Sequence, residues 1–452
     1  MNGDRVGSGV RIALAGLISL GASGIAVAQD GSTGAAPTKT LHRTPDPVVT
    51  TGDVVSALVG KKIDQLGLFA AGPSGVAPIP FQVDEKTAAG AYVFPGGKEA
   101  NPGDGNGVLD KQDEVVFMAD DTGARIDAAS WPAGATEGVE IAISDPVDGT
   151  SGWAYLFAFA DKAPRSSADY VTYDPAAEKV TAKNYSMQYT PGKDNIFFSN
   201  ITIPTSSGGS GVNFVDRLKL RTYIKTLLWL SLSFDEEEWD SKVAAYLDGP
   251  VRAIRMVKNS LSFMGIDVAP TVQVFATYYR DFHQAPAKIN QTINFPAVAK
   301  EAWFKLSVDM NESAKGMKYY RPSPGAKDPW HVIDGTTTDD EKELDPKKPD
   351  WHLVTGKPGT FLWYVEMPKP LVPVTNLTYT DDAATEDSPE NVPGSLGEVA
   401  FKFDLFPLEK GQYEMRLFYM YPQSWKPGDE KTWIQMIEKP LKTTGSALAK
   451  GA

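Results

Sequence analysis

Between Asn101 and Glu114, oxygen-bearing side chains recur every second or third residue: Asp104, Asn106, Asp110 and Asp113, with Gly105 and Gly107 where the chain must turn sharply. Closely spaced oxygens on a bent loop suit a hard cation, which takes about six to eight oxygen ligands. Three carboxylates, one amide and the carbonyl of Val108 make such a set, and the ion it suits is calcium, in a structural role. Read as a twelve-residue calcium loop, Asp104 stands at place three, Asn106 at five, Gly107 at six, Val108 at seven, Asp110 at nine and Asp113 at twelve. Place one falls on Pro102, which has no ligating side chain. A further oxygen must therefore come from Asn101, Asp84 or Glu85, and Asp84 completes the expected set. The competing reading is a hydrated hairpin turn, for which Asp-Gly and Asn-Gly are the usual chemistry.

Two short strands would have to hold this loop. Upstream, Pro78 to Val83 contains two prolines and reads as an edge strand or a strand start. Downstream, Glu114 to Ala119 is a compact apolar run, closed by the turn Asp121-Thr122-Gly123. Asp120 and Asp121 read as turn residues before they read as further ligands. The whole pattern, Pro80-Phe81-Gln82-Val83-Asp84-Glu85, then Gly105 to Asp110, then Asp113-Glu114 through Ala119 and Asp121 to Gly123, resembles exported bacterial β-rich proteins of unassigned function with an EF-hand-like or dockerin-like loop. The resemblance covers roughly the first third of the chain. It implies export, β-structure and calcium, and no reaction.

The first 28 residues read as a secretory signal: Arg5 and Arg11, an apolar core from Ile12 to Gly21, and a small-residue cleavage site at Ala26-Val27-Ala28. Export by the general route to the periplasm or beyond is expected, with no membrane span after signal removal. Residues 29–47 are rich in Gly, Ser, Thr, Ala and Pro and read as a flexible lead. The net charge of −13 argues against nucleic acid and anionic surfaces. The chain has no cysteine, so disulfides, thiolate zinc and iron-sulfur clusters are excluded and the core must hold the fold, with help from bound ions.

From residue 48 onward, short alternating or continuous apolar runs are separated by turn residues. Val139 to Ser144 and Trp153 to Ala160 read as a hairpin, and Val399 to Phe406, Tyr413 to Tyr421 and Phe361 to Glu366 as further strands. Leu227 to Phe234 reads as a strand with Leu228, Leu230, Leu232 and Phe234 on one side. Few helices are expected. The fold class is all-β, a β-sandwich assembly divided into an N-terminal β-domain with the calcium loop, 48–165, and a larger C-terminal β-sandwich domain, 166–452.

Other clusters carry weaker chemistry. Tyr279, Arg280, Asp281 and His283 could serve a polysaccharide lyase, with His283 or Tyr279 taking the proton and Arg280 neutralising a uronate. On a single strand, Tyr279, Asp281 and His283 would share one face and Arg280 the other. Arg252, Arg255 and Lys258 could line an anionic groove, but protection of a sheet edge is the better reading. Glu236, Glu237, Glu238 and Asp240 read as a solvated turn before a cation site. Trp351, Trp425 and Trp433 would favour glycan binding if they share one flat exposed face. No nucleophile elbow, zinc-binding His-Glu-x-x-His, phosphate loop or dinucleotide fingerprint occurs. The expected function is ligand binding or cell-envelope assembly with a protein or glycan partner, and the alternative is a carbohydrate-active enzyme of the lyase or hydrolase class.

Overall fold

Ala253, Arg255, Val257 and Asn259 alternate with Ile254, Met256 and Lys258, and the same period of two runs through Val274, Ala276 and Tyr278 and through Met415, Leu417, Tyr419 and Tyr421. Such alternation turns one set of side chains to each face of a pleated strand. The computed structural model describes residues 37–127, 130–189, 197–228, 230–263, 266–267, 272–322, 328–342, 350–385 and 396–449. The expected signal segment, residues 29–36 of the lead, and residues 386–395 of the acidic loop lie outside them, whereas Leu41, Arg43 and Asp46 of the lead are described and buried. The fold is all-β, with three short helices among the described residues.

Residues 37–452 form one compact unit. Its centre is a ten-stranded sheet, all of whose pairings are antiparallel. The strands Trp239–Asp248, Arg252–Phe263, Val272–Tyr279, Phe282–Gln291, Gly411–Met420, Gly359–Glu366 and Trp351–Gly356 follow one another across it. A five-stranded sheet lies over its inner face and contains Ser231–Phe234, Val215–Thr226, Ala299–Met310, Glu398–Asp404 and Thr375–Thr380 in that order. One hydrophobic cluster fills the space between them, built from Leu218, Phe304, Leu306 and Phe401 on one side and Ala253, Tyr278, Trp363 and Tyr419 on the other. This is the sandwich.

The outer face of the ten-stranded sheet is also covered. Tyr279, Phe282, Leu362, Tyr364, Phe418 and Met420 pack there with Val116, Met118 and Met436. Burial on both faces accounts for near-continuous apolar runs such as Leu362 to Val365. The sheets sort around residue 165 with one exception. Strands before it make a three-stranded sheet, Pro47–Thr51, Glu114–Met118 and Phe81–Asp84, and most of a five-stranded one. The edge of the latter, beside Ala135–Ser144, is Lys442–Leu448 from the end of the chain. Phe81–Asp84 and Gly75–Pro78 are both edge strands, separated by Ile79 and Pro80, in keeping with the two prolines. The hairpin Ala135–Ser144 with Ser151–Phe159 is present, Ser144 opposite Ser151.

Leu227, Leu228 and Leu230 do not continue a strand. The chain turns there, and the strand begins only at Ser231. A run of leucines satisfies strand propensity in sequence, yet here it forms the tip of a hairpin whose register is set by Thr222 opposite Phe234 and Lys225 opposite Ser231.

Candidate functional site

Five of the six residues expected to hold calcium share one loop, and the protein itself occupies many of their oxygens. Asp113 is buried, and its carboxylate accepts from the backbone N–H of Lys86 at 2.8 Å and of Asp110 at 2.7 Å. Burial holds its pKa above the ordinary value, opposed by those two N–H groups and assisted by the nearby charges of Asp110 and Glu85. Asn106 Oδ1 accepts from the Val108 N–H, and its amide donates to Asp110. Asp104 accepts from the Asn101 amide at 2.9 Å. Gly107 takes φ +68°, the left-handed turn expected of it.

Asp84 stands apart from the loop. Its buried carboxylate accepts from Gln82 and from Arg252 Nε, both at 2.7 Å. Glu85 comes to the loop instead, where one oxygen accepts from the N–H groups of Asn106 and Gly107 at 2.8 and 2.7 Å. Asp104, Asp110 and Glu85 thus each commit one carboxylate oxygen, whereas both Asp113 oxygens are taken. The residues fit a divalent ion in part. Among the described residues no group of three or more His, Asp or Glu side chains stands ready to hold a metal.

The basic residues expected at a sheet edge are ion-pair partners, Arg252 and Arg255 buried and Lys258 partly exposed. Arg252 lies against Asp84, Glu114 and the Tyr279 hydroxyl, and Arg255 donates to Glu178 at 2.6 Å. Their strand is interior to the sheet, so edge protection does not explain them. Lys258 pairs with Glu99. Burial raises the Asp84 pKa against the pull of Arg252. For Glu114, burial is outweighed by Arg252 and Lys86, and its carboxyl lies below the ordinary range. Glu236, in the supposed solvated turn, is likewise buried against Arg217 and Arg221.

The lyase cluster is divided by a turn. Val272–Tyr279 and Phe282–Gln291 form a hairpin with Arg280 and Asp281 at its bend. Arg280 joins Asp281, Asp120 and the Thr44 carbonyl. Asp121 accepts from the Tyr170 hydroxyl. His283 faces the core, stacked on Tyr419 with ring centroids 4.5 Å apart, and burial lowers its pKa to about 3. Tyr279 is on the opposite face. No proton acceptor is presented to a substrate there. The tryptophans do not make a flat platform either: Trp425 meets Tyr320 and Trp330 edge-on at 63° and 76°. Trp433 instead borders a polar cleft of about 640 Å³ with Asp120, Lys183, Asp281 and Asp429.

The strongest site went unread in the sequence. Between the two facing sheets lies an apolar cavity of about 260 Å³, lined by Leu218, Leu220, Phe304, Leu306, Met415 and Leu417 among others. Two features make it. Ala276, Ala285 and Ala287 are small where the neighbouring strands carry large side chains, leaving volume on the inner face. The strands of the Arg280 hairpin also pair only beside their turn, Thr277 with Gln284 and Tyr278 with His283. Beyond it they diverge, and Val274 and Ala276 on one edge and Ala285 to Ile289 on the other line the slot between them. Pro286 lies on that edge and has no N–H to give a ladder. A proline inside a strand beside two alanines was the signal available in the sequence.

In the cavity wall at Trp239 and Asn259, and at Ser241 beside it, buried polar groups have no protein partner among the described residues. Asn259 is 2% exposed and Ser241 6%. They stand directly opposite each other on adjacent strands, Trp239 is the next inward residue, and none of Asn259 Oδ1 and Nδ2, Ser241 Oγ or Trp239 Nε1 is hydrogen-bonded. Arg255 Nε and the Tyr419 hydroxyl, also in the cavity wall, are unsatisfied as well. Each such atom costs roughly 1–3 kcal/mol when left unpaired and buried, so a cluster of them calls for a partner, whether ordered water or ligand.

No family model matches the chain, and no curated protein matches it. Among solved structures, an alpha-mannosidase from Enterococcus faecalis V583 overlays with a TM-score of 0.40 at 10% identity, over 92% of this chain and 48% of that one. A GH92 family glycosyl hydrolase, ccman5, gives a TM-score of 0.26 at 11% identity, over 59% and 32%. This chain spans less than half the length of either enzyme, and likenesses this distant carry nothing about its activity.

Proposed function

We propose that this is an exported binding protein whose site is the cavity between the two facing sheets. The ligand has an apolar body and a neutral head that both donates and accepts hydrogen bonds, such as the hydroxyl, amide or ester head of a single-chain lipid. One observation carries the reading: the polar atoms of Trp239 and Asn259 in the wall of a mostly apolar cavity, and of Ser241 opposite Asn259, are buried without partners among the described residues. A neutral head is favoured because the one buried charge in the wall, Arg255, is already matched by Glu178 and stacked 3.8 Å from the Tyr189 ring centre. The volume exceeds the roughly 150 Å³ that admits benzene in an engineered apolar cavity and approaches the lower end of small-molecule sites. It suits an acyl chain better than an oligosaccharide. Calcium belongs to this proposal as a stabiliser of the 101–114 loop, held by the uncommitted oxygens of Asp104, Asp110 and Glu85.

Calorimetric titration with a monoacylglycerol, a fatty acid and an alkane of equal chain length tests the reading. The monoacylglycerol should bind most tightly, and Ala287→Trp, which fills the cavity, should abolish binding while the protein stays folded. Equal affinity for all three, or binding unaffected by the filled cavity, would refute it.

A second reading rests on the polar cleft, where Trp433 and Asp429 at the rim flank Lys183 and Asp120. It takes a glycan, bound or cleaved. Its floor is bonded through Arg280, Asp281, Asn184 and Ser207, and among its lining residues only the buried Arg43 Nε stands among the unpaired atoms of the described residues. Release of reducing ends or unsaturated uronates by the wild type but not by Asp429→Asn would establish it.

A further inference from the structure

The slot at the cavity is bounded by two strand edges whose mutual pairing stops short. Val272–Tyr279 and Phe282–Gln291 are joined only at Thr277 with Gln284 and Tyr278 with His283, yet each is paired along its whole length on the other side, with Arg252–Phe263 and with Gly411–Met420. Successive residues of an antiparallel strand turn their backbone N–H and C=O to opposite neighbours. The Asp281 carbonyl accepts from the Tyr421 N–H at 3.0 Å, so Asp281, His283, Ala285 and Ala287 face Gly411–Met420, and Gln284, Pro286 and Lys288 face the slot. Thr277 faces Gln284, so Phe275 and Gln273 face the slot from the other edge. The Phe275 carbonyl is met by the Thr277 hydroxyl of its own strand at 3.5 Å.

Continued, the register would set Phe275 opposite Pro286. Proline has no N–H, so a rung of the ladder is missing where the strands part, and its carbonyl is left as an acceptor. Gln273 and Lys288, beyond it, are exposed, which opens the slot to the outside. On the inner side Ala276, Ala285 and Ala287 border the cavity. Asn259 is paired with Val272, toward the open end of the slot, whereas Tyr419 is paired with His283 beside the turn. The unpaired polar atoms of Asn259 thus stand where the slot is widest.

Free N–H and C=O groups at strand spacing are complementary to an extended polypeptide backbone. A folded second copy cannot enter a gap between neighbouring strands of one sheet, but a single extended segment can. The two edges run antiparallel to each other, so an inserted segment pairs antiparallel with one and parallel with the other.

We infer that the slot takes an extended peptide by strand addition, and that the ligand of the cavity is an N-acylated peptide. Its acyl chain lies in the cavity toward the turn at Arg280, and its first amides lie between Phe275 and Gln273 on one side and Pro286 and Lys288 on the other. The acyl half rests on the lipid reading of the cavity, while the peptide half rests on the two free edges alone.

Calorimetric titration of the full chain with an N-dodecanoyl alanine tripeptide, with the same molecule methylated at its amide nitrogens, and with monododecanoylglycerol tests it. The acyl tripeptide should bind about tenfold or more tightly than monododecanoylglycerol, as two additional hydrogen bonds imply, and methylation should remove that advantage. Lys288→Pro, which deletes a slot-facing N–H and spares the pairing with Gly411–Met420, should weaken the acyl tripeptide several-fold and leave monododecanoylglycerol unchanged; the methylated peptide keeps the test decisive if that variant misfolds. Equal affinity of the methylated and unmethylated tripeptides, or a tripeptide no tighter than monododecanoylglycerol, would overturn the inference and leave the cavity reading intact. Failure of monododecanoylglycerol to bind would overturn the cavity reading and the acyl half with it, and the methylation contrast would then decide the slot.

Discussion

Two buried polar clusters of the same sheet behave in opposite ways. Around Arg252, the charge is answered by Asp84 and Glu114, with Lys86, Tyr92, Gln82 and Tyr279 closing the network. Seven residues along the same strand, the side chain of Asn259 has no hydrogen-bond partner among the described residues, nor have those of Ser241 and Trp239 beside it. The first cluster ties the three-stranded sheet to the ten-stranded one and has nothing left to offer a ligand. The second leaves its side-chain polar atoms open to a ligand or an ordered water. Residue types alone would have ranked them the other way, because arginine, tyrosine and carboxylates look like chemistry and a lone asparagine does not.

The comparison breaks most visibly at Arg252. Arg252→Met should destabilise the protein by about 3–5 kcal/mol in denaturant unfolding, since it strands two buried carboxylates, and adding Asp84→Asn should restore part of that loss. Equal stability of the single variant would mean that the network is not structural.

The calcium loop should respond next. With calcium held about a hundredfold above its Kd, the ion should stabilise the wild type by about 2–3 kcal/mol, and Asp104→Ala with Asp110→Ala should remove that gain without altering stability in chelator. Equal losses in both conditions would leave a hydrogen-bonded turn without metal.

A third effect is set by pH. Burial pushes the Asp46 carboxyl up to about 6, against the opposing bonds from Arg43. Its folded pKa is above the unfolded one, so the stability it contributes is full below about pH 4 and is lost as pH rises through 6. Asp46→Asn should therefore gain on the wild type by on the order of 2 kcal/mol between about pH 4 and pH 7, read from paired thermal melts. A constant difference across that range would show that Asp46 titrates normally.

Much of the fold was legible. Period-two alternation in Tyr413 to Tyr421 and the turn residues between Val139 and Trp153 report directly on strands, because the pleat imposes that period locally. The fate of the charged residues was not, since Arg252 meets Asp84 across 168 positions and Arg255 meets Glu178 across 77. The bend at Arg280 and Asp281 was missed because its one turn former, Asp281, stands between Tyr278-Tyr279 and Phe282 with no glycine or proline beside it. In the loop, the Asp104 to Asp113 spacing was read from sequence, whereas the choice between Asp84 and Glu85 depended on which one Arg252 captured. The cavity was beyond a linear reading altogether. A void belongs to two facing sheets at once, and only Pro286 between Ala285 and Ala287 hinted at it.

The most direct measurement follows Asn259 in two assays at once. If Trp239, Ser241 and Asn259 wait for a ligand head, Asn259→Leu with Ser241→Ala should raise unfolding stability by about 1–3 kcal/mol, because unsatisfied buried groups are removed, while monoacylglycerol affinity falls. A loss of stability in that variant, with ligand affinity unchanged, would contradict the account.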